Sequence, residues 1–302
     1  MAAALTGPGL ASGADFETLT DLWTRSYSAG EPYARNLLSL LASEDRTVVY
    51  REEGHPVSGA YLLPTTLHID DAAYSAYYFF GAATSPKFRR KGYMEQVIRY
   101  CRTLCEERGI DFLVLVPSDN ELYQYFSRFG FRANFYKKTT QLDREQLSAM
   151  VEKLEGAEDL SEELPGFVPT AMPAVRNAAL AGGSYLEYDA PTLQYLLFDH
   201  TIKGGKTILL EDGYALYDLH TEDTGETTLH VKELLGKGSL LPLLRKVAAV
   251  DADQYILDLP AFDNLRGGRT STGRAGMDLA VSKDAVKAER TMKNAYLGLT
   301  IG

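Results

Sequence analysis

The sequence is poor in cysteine, in tryptophan and in cationic residues. Its 302 residues include two cysteines, one tryptophan and 31 Lys+Arg against 41 Asp+Glu, so the formal net charge is -10. The cation deficit argues against a general nucleic-acid-binding protein, because affinity for a phosphate backbone needs clustered cations. No run approaches the ~20 apolar residues of a membrane-spanning helix, and residues 1–19 lack the basic start and apolar run of a signal peptide. We therefore expect a cytoplasmic protein without nucleic-acid or membrane partners.

The two cysteines also exclude some chemistry. Cys101 and Cys105 are four residues apart, on one face of a predicted helix. Two thiols do not make a zinc site, and the five histidines form no cluster in the sequence. We expect both cysteines to be small buried residues kept reduced, and we expect no metal.

The length and the order of predicted elements indicate two domains. A chain of 302 residues is comfortable for two units of ~100–200 residues. Helix, helix, three strands, helix, strand, helix and strand are predicted up to residue 145, and the second half roughly repeats that order. Six acidic residues and one lysine lie between Glu152 and Glu163. We predict an α+β protein with domains at 1–145 and 167–302, joined by an acidic helix or linker at 146–166.

The stretch SPKFRRKGYMEQVIRYC, residues 85–101, indicates a function. A predicted strand ends at Pro86, four cations follow (Lys87, Arg89, Arg90 and Lys91), and an amphipathic helix begins near Gly92. The first N–H groups of a helix lack intrahelical partners, and the helix dipole is positive there, so this end binds phosphate. Cations at this end oppose the dipole. Their placement therefore favours a bound anion over the alternative, a solvated basic helix start.

The wider pattern resembles a known family. A strand, this basic turn, an amphipathic helix, the buried strand DFLVLVPS and the segment YFSRFGF resemble the GNAT superfamily of acetyl-CoA-dependent N-acyltransferases. The pyrophosphate loop of that family is Arg/Gln-x-x-Gly-x-Gly/Ala, and residues 89–94 read RRKGYM, with Met94 at the sixth position. The tandem arrangement resembles the enhanced-intracellular-survival acetyltransferases. The motifs that carry the resemblance lie within about residues 15–145. Beyond these residues only the order of the predicted elements is similar.

The resemblance implies two GNAT-like domains, each a mixed, mostly antiparallel sheet flanked by helices, with the second one degenerate. It implies acetyl-CoA as co-substrate and no metal. The implied cofactor contacts are Gly81, Ala82, Ala83, Thr84, Arg89, Arg90, Lys91, Gly92, Tyr93, Met94, Ser118 and Asn120. Two alternatives stay open: the small residues 81–83 pack closely on a helix, and residues 118–120 cap the next helix.

The resemblance also implies the catalytic groups. In this superfamily the acid is commonly a tyrosine four residues before the glycine of "GF", and counting back from Gly130 reaches Phe126, which has no proton to give. Tyr123 shares the face of Phe126, and Tyr125 lies roughly 100° around the helix. Both are candidates for the acid, and the alternative is that they are packing residues. In related tandem proteins the C-terminal carboxylate is the base, so Gly302 is the candidate base, with a final edge strand as the alternative.

We therefore expect an N-acetyltransferase that moves an acetyl group to a primary amine of a small molecule in a ternary complex, because no cysteine is placed for a covalent intermediate. By family analogy, Trp23, Glu31 and Tyr33 lie on the acceptor side. The acidic balance is compatible with a polycationic acceptor, and the sequence with a homo-oligomer. The alternatives are a non-catalytic CoA-binding sensor or scaffold, favoured by Phe126, and an acyltransferase acting on peptide or protein amines.

Overall fold

In a computed structural model, which describes residues 5–27, 30–154 and 172–300, an unpredicted strand comes first, and the helices and strands that follow it up to residue 143 have the predicted order. The helices are α1 (Phe16–Tyr27), α2 (Glu31–Leu41), α3 (Tyr93–Arg108), α4 (Asn120–Ser127), α5 (Arg144–Leu154), α6 (Met172–Leu180), α7 (Ala190–Ile202), α8 (Leu241–Ala248) and α9 (Lys283–Glu289). The strands are β1 (Gly7–Leu10), β2 (Thr47–Glu52), β3 (His55–Ile69), β4 (Ala72–Thr84), β5 (Phe112–Leu115), β6 (Arg132–Asp143), β7 (Tyr185–Tyr188), β8 (Lys206–Leu210), β9 (Gly213–Thr221), β10 (Thr227–Gly236), β11 (Gln254–Pro260) and β12 (Arg269–Ala280). Within these ranges no helix has the length and apolar character to cross a membrane.

The strands form one sheet that runs through both halves of the chain. Its order is β1-β2-β3-β4-β5-β12-β6-β11-β10-β9-β8, and β7 pairs with β3 outside that path. The pairs β4–β5 and β10–β11 are parallel, and the other pairs of named strands in the described residues are antiparallel. The predicted class, a mixed and mostly antiparallel sheet flanked by helices, is confirmed.

The two halves exchange strands at the centre of this sheet. β12 comes from the second half but lies between β5 and β6 of the first half. β6 in turn pairs with β11 along seven residues. The predicted domains therefore share one sheet. Their boundaries at 1–145, 146–166 and 167–302 remain a prediction, since residues 155–171 lie outside the described residues.

Helices cover both faces of the sheet. One face packs on α1, α2, α6, α7 and α9, and the opposite face packs on α3 and α4 in the first half and on α5 and α8 in the second. On α3 the buried residues recur every three or four positions, as the apolar pattern predicts: they are Val97, Ile98, Cys101, Leu104 and Cys105. Both cysteines are unpaired and buried, as predicted.

The last described residues return to the first half. The Ala295 N–H donates to the Asn134 carbonyl at 2.9 Å, and the Tyr296 N–H donates to the Ser184 carbonyl at 2.8 Å. This tail therefore lies between β6 and β7. Gly302, the predicted base, lies outside the described residues.

Candidate active site

The parallel strands β4 and β5 separate before they end. Their register runs from Ala76–Phe112 to Tyr78–Val114, while β4 continues to Thr84 and keeps its pairing with β3. Beyond Tyr78, the edge of β4 that faces β5 therefore has no strand partner among the described residues. Backbone N–H and C=O groups at such an edge are available to an extended ligand.

Gly81 lies on this free stretch and is fixed there by packing. Its φ is +63°, a conformation that side chains with a Cβ rarely adopt. A Cβ at this position would be 2.1 Å from the Trp23 ring, and Trp23 is a buried residue of α1. Gly81 therefore packs closely on a helix, as the alternative interpretation of residues 81–83 predicts. Trp23 lies in the core. The neighbouring Ala82 carbonyl accepts a hydrogen bond from the Tyr27 hydroxyl at 3.0 Å.

The basic turn leads from β4 into an uncapped helix. Gly92, with φ +80°, is the N-cap residue of α3, and no side chain caps this helix. Arg90 has φ +64°, which a non-glycine residue adopts only at a cost of about 1–3 kcal/mol. Left-handed residues in such a turn direct successive N–H groups into one concavity, which is an anion-binding geometry. The predicted phosphate-binding turn thus has the backbone that the chemistry needs.

The cations of the turn differ in what they contact. The Arg89 Nε donates to the Thr84 carbonyl at 3.1 Å, while Arg90 is exposed. The Lys91 Nζ lies 3.6 Å from Glu52 Oε1. The same carboxylate accepts a hydrogen bond from the Tyr93 hydroxyl at 2.7 Å, which raises the pKa of Tyr93 to about 12. Sequence reasoning missed Glu52.

A cleft of about 510 Å³ opens where β5 meets α4. We call it the α4 cleft. Its walls come from the loop after β5, the start of α4, β6, β12 and the tail. They are formed by Val116, Pro117, Ser118, Asp119, Asn120, Tyr123, Lys137, Arg274, Ala275, Gly298 and Thr300. Asp119 is the residue that caps α4, since its carboxylate accepts from the Leu122 N–H at 2.8 Å. The predicted cofactor contacts Ser118 and Asn120 both line this cleft.

The aromatic residues of α4 have different environments. Phe126, at the position of the family's tyrosine, is buried, with ring centroids 6.1 Å from Phe79 and 5.7 Å from Phe131. Tyr125 packs edge-on against Phe126. Tyr123 lines the α4 cleft, and the Arg274 guanidinium lies 4.3 Å from the centre of its ring. Burial raises the pKa of Tyr123, and the charge of Arg274 opposes that rise.

The three residues predicted on the acceptor side have different environments. Trp23 is buried. Glu31 is exposed on α2, where it pairs with Arg35 at 2.8 Å. The Tyr33 hydroxyl donates to Asp199 Oδ1 at 2.8 Å, so it joins α2 to α7. Their assignment to the acceptor stays a prediction.

Comparison with known proteins agrees with this geometry. Residues 10–133 match the model of the acetyltransferase (GNAT) domain family. Among solved structures, Eis1 from Mycobacterium abscessus is similar with a TM-score of 0.73, at 16% identity over 93% of this chain and 75% of that one. GCN5-related N-acetyltransferases from Anabaena variabilis ATCC 29413 (TM-score 0.72, 13% identity, 92% and 73% covered) and Kribbella flavida (0.69, 14%, 92% and 72%) are similar too. None of the curated proteins matches the sequence. The predicted resemblance is confirmed, and the structural likeness shows a shared fold.

Proposed function

We propose that this chain, which carries a GNAT acetyltransferase domain over residues 10–133, transfers an acetyl group from acetyl-CoA to a primary amine. One observation carries the proposal. The unpaired edge of β4 leads directly into the uncapped start of α3, with Arg89, Arg90 and Lys91 between them. An extended chain that ends in a pyrophosphate matches both features.

The cofactor assignments follow from this match. The N–H groups from Arg90 to Met94 hold the pyrophosphate, and Arg89 and Arg90 supply charge. The pantetheine arm pairs with the backbone between Gly81 and Thr84. We assign its far end to the α4 cleft, because the predicted cofactor contacts Ser118 and Asn120 line that cleft.

The chemistry requires a base, an oxyanion donor and an acid. The amine nitrogen, after losing a proton, attacks the thioester carbon, and the tetrahedral intermediate then expels the CoA thiolate. We assign protonation of the thiolate to the Tyr123 hydroxyl, because Tyr123 lines the cleft and Phe126 is in the core. The tail reaches the same cleft through Gly298 and Thr300. Gly302 as the base stays a prediction.

The test is steady-state release of CoA from acetyl-CoA in the presence of primary amines, with peptide N-termini in a separate arm. Release that depends on the amine, with an N-acetylated product by mass spectrometry, is the expected result. Faster turnover of the peptide arm would instead support an acyltransferase of peptide amines. Absence of turnover with every amine would contradict the proposal.

A CoA-binding sensor is the second candidate, because Phe126 leaves the usual acid position without a proton. It predicts that acetyl-CoA binds tightly and that no amine is acetylated. Calorimetric binding combined with the CoA-release assay separates the two functions.

A further inference from the structure

A second cleft, of about 270 Å³, adjoins the α4 cleft. We call it the lysine cleft. The two clefts share Lys137, Gly298 and Thr300 as wall residues. The remaining wall residues of the lysine cleft come from α7 and its C-terminal turn, β9, β10, β11 and the tail, and are Leu196, Asp199, His200, Lys203, Gly205, Asp218, His230, Lys232, Asp258 and Leu299.

Charged pairs in this cleft are arranged in two layers, with the cations outside. The exposed fractions of the side chains are 45% for Lys137 against 4% for Asp258, 38% for Lys232 against 9% for Asp218, and 51% for Lys203 against 10% for Asp199. Each lysine thus lies over a buried carboxylate. The lysine is therefore the partner of each pair that a ligand in the cleft meets first, although the charges of the three pairs cancel.

The buried carboxylates already have partners. Asp258 accepts from Lys137 Nζ at 2.7 Å and from Thr139 Oγ1 at 2.6 Å, and its Oδ2 is 3.0 Å from His230 Nε2. Burial alone would raise the pKa of Asp258, but the hydrogen bond with His230 and the charge of Lys137 outweigh burial and lower it. Asp218 contacts Lys232, and its Oδ1 lies 2.9 Å from His220 Nε2 without a hydrogen bond. These carboxylates therefore act as counterions of the lysines and not as receptors for an external cation.

We propose that the lysine cleft binds an anionic group of the acceptor, so that the acceptor is a primary amine that also carries a carboxylate or a phosphate monoester. This inference rests on the proposed acetyl transfer. An ammonium group has three donors, and its hydrogen bonds to carboxylate or phosphate are charge-assisted. A polycation would meet the exposed ammonium groups first and be repelled. The cleft therefore favours an acceptor with an anionic group, whereas the net charge of the protein is compatible with a polycationic acceptor.

The position of Lys137 links this cleft to the reaction. It lines both clefts, so an acceptor can place its amine beside Tyr123 and its anionic group at Lys137 and Lys232. Arg274 adds a further cation to the α4 cleft. A volume of about 270 Å³ is at the lower end for ligand pockets, which suits a small anionic group.

The experiment compares matched amines in the CoA-release assay. The pairs are phenylalanine with phenethylamine, lysine with cadaverine, and O-phosphoethanolamine with ethanolamine. In the wild type we expect the anionic member of at least one pair to have a kcat/KM about tenfold higher, the size of one charge-assisted hydrogen bond. The first two pairs report a carboxylate and the third a phosphate.

Variants locate the effect. Lys232→Gln removes the cation and should abolish the preference, whereas Lys232→Arg should keep most of it. Lys287→Gln is the matched control, because Lys287 is an exposed lysine of α9 paired with Asp284 at 2.9 Å. A higher kcat/KM for the amines that lack an anionic group, namely phenethylamine, cadaverine and ethanolamine, would overturn the inference. So would a preference for the anionic amines that Lys232→Gln leaves intact.

A binding arm keeps the inference testable if no amine is acetylated, a result that counts against the proposed function itself. The protein saturated with CoA is titrated calorimetrically with N-acetylphenylalanine and with N-acetylphenethylamine. Binding of the acid alone, lost in Lys232→Gln and kept in Lys287→Gln, supports the anionic site. Equal binding of the two compounds, or no binding of the acid, overturns it.

Discussion

The two parallel crossovers of the sheet, β4–α3–β5 and β10–α8–β11, share a plan but differ at the start of the helix. In both, the parallel register ends early, at Tyr78–Val114 and at Val231–Leu257. The start of α3 has no side-chain cap. At the start of α8 the first two N–H positions are used or missing, because Ser239 Oγ accepts from the Leu241 N–H at 3.2 Å and Pro242 has no N–H.

The regions beyond the last paired residues of the two parallel strand pairs differ as well. Two residues after Val231, β10 carries Glu233, which is buried with its Oε1 3.4 Å from the Arg176 Nε. Arg176 also donates to the Leu297 carbonyl at 3.0 Å. The second crossover thus encloses an ion pair and the tail, whereas in the first the edge of β4 beyond Tyr78 has no strand partner in the part of the chain that the structure describes. The second unit therefore forms a core, and we propose that the first, whose helix start has no side-chain cap, forms a ligand site.

Removing one partner of the buried Arg176–Glu233 ion pair should have the largest effect on the free energy of unfolding. Arg176→Met leaves the Glu233 carboxylate buried without its cation, and we expect a loss of about 3–5 kcal/mol in the free energy of unfolding. The double variant Arg176→Met/Glu233→Met should recover most of it. Urea unfolding measures both, with Arg35→Ala, in an exposed pair, as the control expected within about 0.5 kcal/mol. An unchanged stability of Arg176→Met would contradict this account of the second crossover.

The same variant has a pH dependence of known sign. Burial raises the pKa of Glu233 even with Arg176 present, since the opposing charge only partly compensates. A carboxyl group whose pKa is raised by folding stabilises the protein at low pH, and that contribution is lost as the pH rises through the folded-state pKa. Without Arg176 the pKa rises further, so Arg176→Met should be more stable at pH 5 than at pH 7.5, relative to the wild type. The opposite trend in urea midpoints would show that Glu233 stays solvated.

Within the first crossover, Gly81 and Gly92 separate packing from binding. Gly81→Ala forces a Cβ against Trp23 and should cost about 3 kcal/mol through strain and overpacking. Gly92→Ala meets open space, so only its backbone strain, about 1–2 kcal/mol, should appear in urea unfolding. If the two losses are equal, the close contact with Trp23 is not what requires glycine at position 81.

The tyrosines of α4 offer a kinetic comparison. Tyr123→Phe should lower kcat about 100-fold, the low end of the effect of a general acid, with little change in the affinity for acetyl-CoA. Tyr125→Phe removes a hydroxyl of the same helix and serves as the matched control, expected near wild-type kcat. Equal kcat values in the two variants would remove Tyr123 from the mechanism.

Relief of strain at Arg90 should give the smallest change. Arg90→Gly removes the cost of a positive φ and should raise the free energy of unfolding by up to about 1 kcal/mol, while it lowers the affinity for acetyl-CoA. The control is Arg89→Gly, which should not stabilise the protein because Arg89 has a φ of -66°. Arg99→Gly is not a suitable control, because Arg99 lies inside α3. A destabilised Arg90→Gly would show that the turn is not strained.

What the sequence predicts well here is local. Pro86, Gly92 and the spacing of apolar residues on α3 locate the turn, because each acts through its own backbone or its own helix. Pairing of β12 between β5 and β6 depends on contacts more than 100 residues apart, and local periodicity carries no mark of it. For the same reason the position of Phe126 predicts a missing acid but not the arrangement of Tyr123 beneath Arg274.

The lysine cleft shows where a signal existed and was missed. Lys137 and Thr139 alternate on β6, and His230 and Lys232 alternate on β10. Polar residues two apart in a strand share one face, so each of these pairs predicts a polar surface on its strand. Which strands meet could not be derived from that pattern, since the order of β6, β11, β10 and β9 is set by long-range pairing.

The most direct test of the central claim is a calorimetric and thermal titration with acetyl-CoA of the wild type and of Arg90→Glu/Gly92→Asp. The account predicts that acetyl-CoA at one hundred times its Kd stabilises the wild type by about 2.7 kcal/mol and leaves the double variant unaffected. Absence of stabilisation in the wild type, or equal stabilisation of both proteins, would contradict the assignment of this turn as the pyrophosphate site.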